Sequence, residues 1–313
     1  MSVLFFILIS ISILFFVSGV YVFVIACVRR KDMPWLVKEE MEKTPYAKYF
    51  PYISDANKWL QDHGALDVFT ESRDHLKLHG LWVPAKEPIG TVICAHGYRS
   101  TFLVDYCKAF PYFHELGLNI LVTTQRSHGK SEGSFITFGV KESDDLQQWI
   151  EFHNRNYGPF PVVMFGISMG ATSVLFLADR KLPDNVKGII GDCGFTSPKE
   201  IISSVFSRVI KLPHKTTIWI ADKIAWLIAG FRFDECDTRV ALKNAKLPVL
   251  LIHGTNDNFV PWEMTKQAYD LCTKEKELLL VDGAEHGLSF IVDREGYIRA
   301  VTQFISKYIT HIS

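Results

Sequence analysis

The apolar positions of this chain fall into two regimes. From Val3 to Val28 no charged residue interrupts the apolar run, which stops at Arg29, Arg30 and Lys31. At about 1.5 Å per residue, a helix of that length crosses the ~30 Å hydrocarbon core of a bilayer with some tilt. Further along, apolar residues gather into blocks of strand length: Thr91–Ala95, Asn119–Thr123, Pro161–Phe165, Val186–Ile190, Pro248–His253 and Glu277–Val281. These blocks are nearly continuous in Val, Ile and Leu, as strands buried on both faces should be. Between them, helical spacing runs through Phe102–Leu116, Lys141–Asn156 and Ala171–Arg180. Strand–helix alternation predicts an α/β domain with a mostly parallel sheet covered by helices. Arg73-Asp74 is a turn signal between Val68–Thr70 and Leu76–Val83 and predicts an opening hairpin.

The first regime predicts an uncleaved anchor over residues 3–28. A signal peptide carries its positive charge before a shorter apolar run, whereas here the basic cluster follows the run. The positive-inside rule puts Arg29-Arg30-Lys31 and everything after it in the cytoplasm, giving a single-pass cell-membrane protein. Val24-Ile25-Ala26-Cys27 loosely resembles a bacterial lipoprotein box, but no basic segment precedes the run, so Cys27 is expected to carry no lipid. Residues 29–66 form a connector that mixes charges with aromatics. Trp59 is expected to pack on the globular domain, while Trp35 suits either that surface or the membrane interface. Residues 67–313 make one domain.

Composition removes several function classes. The 313 residues are 48% hydrophobic and 22% charged, which argues against disorder. With 34 basic and 34 acidic residues the formal charge is zero, and no basic run points to nucleic acid. Six cysteines without a CxxC pair make no disulfide scaffold, and Cys94 and Cys193 read as buried free thiols. No spacing of His, Cys and carboxylates suggests a metal, no phosphate loop appears, and no cofactor is expected.

The strongest local signal is Gly166-Ile167-Ser168-Met169-Gly170, directly after a strand block and directly before a helical one. In that context the serine sits on a sharp strained turn that projects its hydroxyl from the top of the sheet. The Met169 N–H then opens the helix and can face an oxyanion. A serine hydroxyl needs a base. His286, between Gly283 and Gly287 after the last strand block, is the candidate, whereas His96, His128 and His253 suit turn or packing roles. Asp257, after Pro248–His253, is the candidate carboxylate, with Asp192 and Asp282 as rivals; Glu285 reads as solvated. The second oxyanion donor is assigned to the Tyr98 N–H, in the loop after Thr91–Ala95.

These pieces resemble the α/β-hydrolase-fold serine hydrolases, and more narrowly the single-pass bacterial α/β hydrolases of the S33 serine-aminopeptidase-like or esterase-like group. The match runs through Cys94–Tyr98, Gln125–Ser131, Gly166–Gly170, Ile252–Asp257 and Gly283–His286. Where the family usually has Asp-Gln-Arg-Gly-His-Gly, Thr124 and Ser127 replace the acid and the first glycine. More than fifty residues separate the blocks Val186–Ile190 and Pro248–His253, and the resemblance implies a helical cap there, at about 197–240. Ile201–Ile210 and Thr216–Phe231, separated by Pro213, are its expected helices. An apolar inner cap face favours an acyl or aromatic small-molecule substrate. The expectation is a membrane-anchored esterase. A peptidase would need a free acid in the cap for the substrate amine, from Asp234, Glu235 or Asp237. A binding protein on the same fold would lack a working serine.

Overall fold

A computed structural model describes residues 2–44, 47–209 and 214–310; the expected helix end Ile210 and the breaker Pro213 lie outside them. The strands are β1 (Leu66–Glu71), β2 (Lys77–Val83), β3 (Gly90–Ala95), β4 (Leu118–Thr123), β5 (Val162–Ile167), β6 (Val186–Asp192), β7 (Val249–Gly254) and β8 (Lys276–Val281). Among the described residues they form one sheet in the order β1-β2-β4-β3-β5-β6-β7-β8. β2 pairs antiparallel with β1 and β4, and every other neighbouring pair is parallel. This is the α/β-hydrolase fold. The two switches of strand order leave the carboxyl ends of β3, β5, β6 and β7 side by side, where open α/β sheets hold their sites.

The helices before β4 are α1 (Ser2–Cys27), α2 (Lys38–Met41), α3 (Phe50–Asp62), α4 (Phe102–Asp105) and α5 (Phe110–Glu115). The single helix expected over Phe102–Leu116 is thus broken in two. Pro111 in the first turn of α5 has no N–H to continue a helix, and its ring clashes with the preceding turn. After β4 come α6 (Val140–Tyr157), α7 (Met169–Leu175), α8 (Pro198–Val209), α9 (His214–Ile224), α10 (Thr238–Lys243), α11 (Trp262–Leu271), α12 (Ser289–Val292) and α13 (Arg294–Ile305). A five-residue π-helical turn, Ala225–Ala229, extends α9 and closes at Gly230 with φ 67°.

The sheet is covered on both faces. One core holds Tyr106, Phe110 and Phe113 against Val301 and Phe304, together with Ile53 and Leu60 of α3. Trp59 and Trp35 both pack on this face, so Trp35 is committed to the domain. The other face buries Trp149, Ile150, Val174 and Leu242.

A third cluster lies under the cap, and the apolar helix α1 belongs to it. Val22 and Phe23 of α1 are buried with Ile218, Ala221 and Ala225. A Cβ at Gly19 would stand 2.4 Å from Ile220 Cγ2, so a small residue there permits the close approach of α1 and α9. The chain leaving α1 is bonded to the domain as well. The Cys27 carbonyl accepts from Ile136 N–H at 2.7 Å. The Arg29 guanidinium donates to the carbonyls of Ser131 at 2.8 Å and Gly129 at 2.7 Å.

Candidate active site

Ser168 stands between β5 and α7 with φ 56° and ψ −118°, a left-handed conformation that costs a non-glycine residue free energy. The turn is possible only because its neighbours lack side chains. A Cβ at Gly166 would be 2.2 Å from Gly170 O, and one at Gly170 would be 1.9 Å from Ala95 O. The strand supports the turn from below, with Ser168 N–H donating to Asp192 O at 2.8 Å.

Three residues far apart in sequence meet at this turn. His286 Nε2 lies 2.9 Å from Ser168 Oγ, and His286 Nδ1 lies 2.6 Å from Asp257 Oδ2. A carboxylate can only accept, so Nδ1 carries the ring proton and Nε2 is left to accept from the serine. Asp257 is itself well held. Its Oδ1 accepts the N–H groups of Phe259 and Val260, both at 2.8 Å, and Oδ2 also accepts from His253 Nε2 at 3.1 Å. Burial opposes the charge on Asp257. The hydrogen bonds from His253 and His286 outweigh it and hold the carboxyl well below the usual carboxylate range. His253, expected in a packing role, therefore also supports the acid.

The rivals are engaged elsewhere. Asp192 accepts from Tyr297 Oη at 3.0 Å and is pushed up to about 6 by burial. Asp282 accepts from Thr255 Oγ1 at 3.0 Å, and Glu285 is exposed. His96 and His128 are buried in the turns around the site. His96 Nε2 accepts from Gln125 N–H at 3.1 Å, and His128 Nε2 accepts from Arg99 N–H at 3.0 Å. Burial depresses both, His96 to about 3.

Met169 is the first residue of α7, so its N–H has no partner within the helix. The loop with Tyr98 passes close by: a Cβ at Gly97 would lie 3.3 Å from Ser168 Cβ. Two features of this loop were not found in the sequence. Asp105, at the break between α4 and α5, accepts from Gly97 N–H and from Ser100 Oγ, each at 2.6 Å. Burial pushes its carboxyl up to about 6 against those bonds. The only signal for it was an acid in the short helix directly after residues 96–100. On the outer side, the Tyr98 hydroxyl donates to Ala26 O at 2.8 Å, and Arg99 Nη2 donates to Ile25 O at 2.6 Å. The loop is therefore held from within by a carboxylate and from without by the last carbonyls of α1.

The fold also groups Cys193 with Asp257 and His286, their ligand-type atoms within 4.8 Å, a cluster that sequence spacing did not reveal. Burial pushes the Cys193 thiol well above its ordinary value, which favours the neutral thiol, a poor metal donor. In the loop where Thr124 and Ser127 depart from the family pattern, Arg126 is 4% exposed and pairs with Asp145 at 2.6 Å and with Asp74 at 2.9 Å. It fastens the turn of the opening hairpin to α6.

Residues 86–228 match the model of a family described as serine aminopeptidase, S33. The chain is 28% identical over 231 residues to the uncharacterized protein YqkD of Bacillus subtilis, covering 74% of this chain and 75% of that one. It is 28% identical over 194 residues to the lysophosphatidylserine lipase ABHD12 of Danio rerio, covering 60% of this chain and 48% of the relative. Among solved structures, the Pyrococcus furiosus esterase Pf2001 superposes with a TM-score of 0.65 at 25% identity, over 80% of this chain and 95% of that one.

Proposed function

We propose, on the premise that this chain is an α/β hydrolase resembling the S33 serine-aminopeptidase group, that it is a membrane-anchored serine hydrolase cleaving carboxylic esters of small, apolar acyl substrates. One observation carries the reading: the continuous relay Ser168 Oγ, His286, Asp257 at 2.9 and 2.6 Å. Ser168 Oγ attacks the acyl carbonyl while His286 Nε2 takes its proton. Asp257 keeps the imidazole in the required tautomer and stabilises the imidazolium. The N–H groups of Met169 and Tyr98 receive the oxyanion. His286 then protonates the departing alcohol, and the acyl group stays on Ser168. A water gives its proton to His286 and attacks the acyl-serine, and His286 returns that proton to Ser168 Oγ as the acid leaves. No step calls for a cofactor. The helix α1 spans the membrane as a single anchor and leaves the catalytic domain in the cytoplasm.

Esters are favoured over peptides because the cap acids are already occupied. Asp237 pairs with Arg239 at 2.6 Å, Asp234 lies 3.6 Å from Arg232, and Glu235 Oε2 accepts from Arg232 N–H at 2.9 Å. A substrate amine would have to share or displace these arginine contacts. A fluorophosphonate probe should label the full chain and not the Ser168→Ala variant. Absence of labelling on the native chain would leave a binding protein on a hydrolase fold. Acyl nitrophenyl esters of increasing chain length, run beside aminoacyl anilides, separate the two chemistries. Turnover of anilides alone would replace the ester reading with the peptidase one.

A further inference from the structure

We propose that the outer face of the cap docks into the lipid bilayer, so that α1 and the cap enter the membrane together; this rests on the reading of α1 as an anchor. The apolar run Leu4–Cys27 has 24 residues, and a hydrocarbon core takes about 20 of them. Any 20-residue stretch within that run contains Ser18–Phe23. Those are the residues that touch the cap. Leu4–Leu14 are exposed all round, whereas from Phe15 onward a helical stripe through Gly19, Val22, Phe23 and Cys27 turns inward. Ser18 Oγ is 3.1 Å from Thr217 Oγ1, and the Gly19 backbone lies against Ile220. The part of α9 packed along this stripe therefore shares the depth of the membrane core.

A face of the cap bathed in water would be polar there. Instead Trp219, Trp226, Leu227 and Ile228 are 60%, 59%, 78% and 55% exposed. Tryptophan suits the zone between hydrocarbon and headgroups. Lys223 Nζ lies 5.6 Å from the centre of the Trp219 ring, and its aliphatic stem can follow apolar surface while the ammonium reaches water. The nearby acid, Asp222, is 6% exposed and paired with Arg232 at 2.9 Å, so it offers the lipid no bare charge. Continuity of this surface with an apolar span favours lipid over a protein partner.

The test uses the full chain in phosphatidylcholine vesicles brominated at mid-chain. α1 contains no tryptophan, so quenching of tryptophan emission reports on the domain. The native protein should be quenched, and the Trp219→Phe/Trp226→Phe double variant should lose more than half of that quenching. Fluorophosphonate labelling of the double variant checks that it is folded. Equal fractional quenching of the two proteins overturns the docking and leaves the anchor intact. Failure to float with the vesicles overturns the anchor, and the docking with it. Cross-linking of Leu227→Cys copies in vesicles, without a quenching difference, assigns the face to a second copy instead.

Discussion

The Tyr98 hydroxyl donates to the Ala26 carbonyl at 2.8 Å, so the loop assigned an oxyanion donor is tied to the last turn of the apolar helix. Arg99 adds a second bond to that turn, at Ile25 O. A helix end normally leaves such carbonyls without partners. Here the domain supplies them, and the helix in return fixes the loop. Tyr98→Phe keeps the backbone donor and removes only the tie. At about 1 kcal/mol per neutral hydrogen bond, kcat for a soluble ester should fall roughly fivefold. KM should change little, because the loss concerns the transition state. A change confined to KM would show that the tie does not position the donor.

Asp257→Asn leaves the shape of the relay but cannot hold the proton on His286 Nδ1. On the proposed mechanism kcat drops by about 10⁴, while Ser168→Ala costs on the order of 10⁶. Asp192→Asn, at the rival acid, should cost far less. If the Asp192 variant proves as inactive as the Asp257 variant, the acid has been assigned wrongly.

Asp105 acts on the loop from the inner side. Asp105→Ala removes the acceptor for Gly97 N–H and Ser100 Oγ and lets the Tyr98 donor drift. Loss of an oxyanion donor costs ~10²–10³ in kcat, and a loosened one should cost about tenfold or more. Asp105→Asn can still accept from Gly97 N–H and should recover most of the rate. A merely structural role would instead lower thermal stability and leave kcat of the folded fraction unchanged.

His96 links stability to pH. Its folded value is about 3, against an ordinary 6.5, because burial disfavours the imidazolium. Between those values the unfolded chain binds a proton that the folded chain does not. The contribution is therefore complete above about 6.5 and is lost as the pH falls toward about 3, by up to ~1.4 kcal/mol per pH unit. Urea unfolding of the native chain and of His96→Asn should show a gap that narrows on acidification through that window. A gap that stays constant from pH 7 to pH 4 would contradict it.

Arg126→Met leaves Asp145 buried without its partner. Breaking a buried pair in this way costs about 3–5 kcal/mol. Calorimetry should show the loss, and the double variant Arg126→Met/Asp145→Leu should regain a good part of it.

The strands were legible because burial on both faces writes itself as short unbroken apolar blocks. β3 to β8 fall within a few residues of where those blocks lie. The elbow and His286 were legible for a related reason, since glycines mark turns that few other residues can make. Helix limits were less so. Pro111 divides what helical spacing joined, and Thr216–Phe231 became α9 plus a π-helical turn. What stayed hidden was contact between distant segments. Nothing in the run Val3–Val28 shows that its second half packs on the cap. Nothing around Asp105 or His253 shows that one holds Gly97 and the other supports Asp257. Such roles depend on sheet order, which a linear pattern of apolar residues does not encode.

Arg29 has a bearing on engineering. Basic residues flanking a membrane segment bias its orientation, so removing them is a way to change it. Here the same side chain donates to the Gly129 and Ser131 carbonyls, in the turn whose His128 steadies Arg99. On the proposed anchoring, charge reversal at this position would alter sidedness and unfasten the rim beside Ser168 in one stroke. Arg30 and Lys31, rather than Arg29, are the places to adjust topology alone.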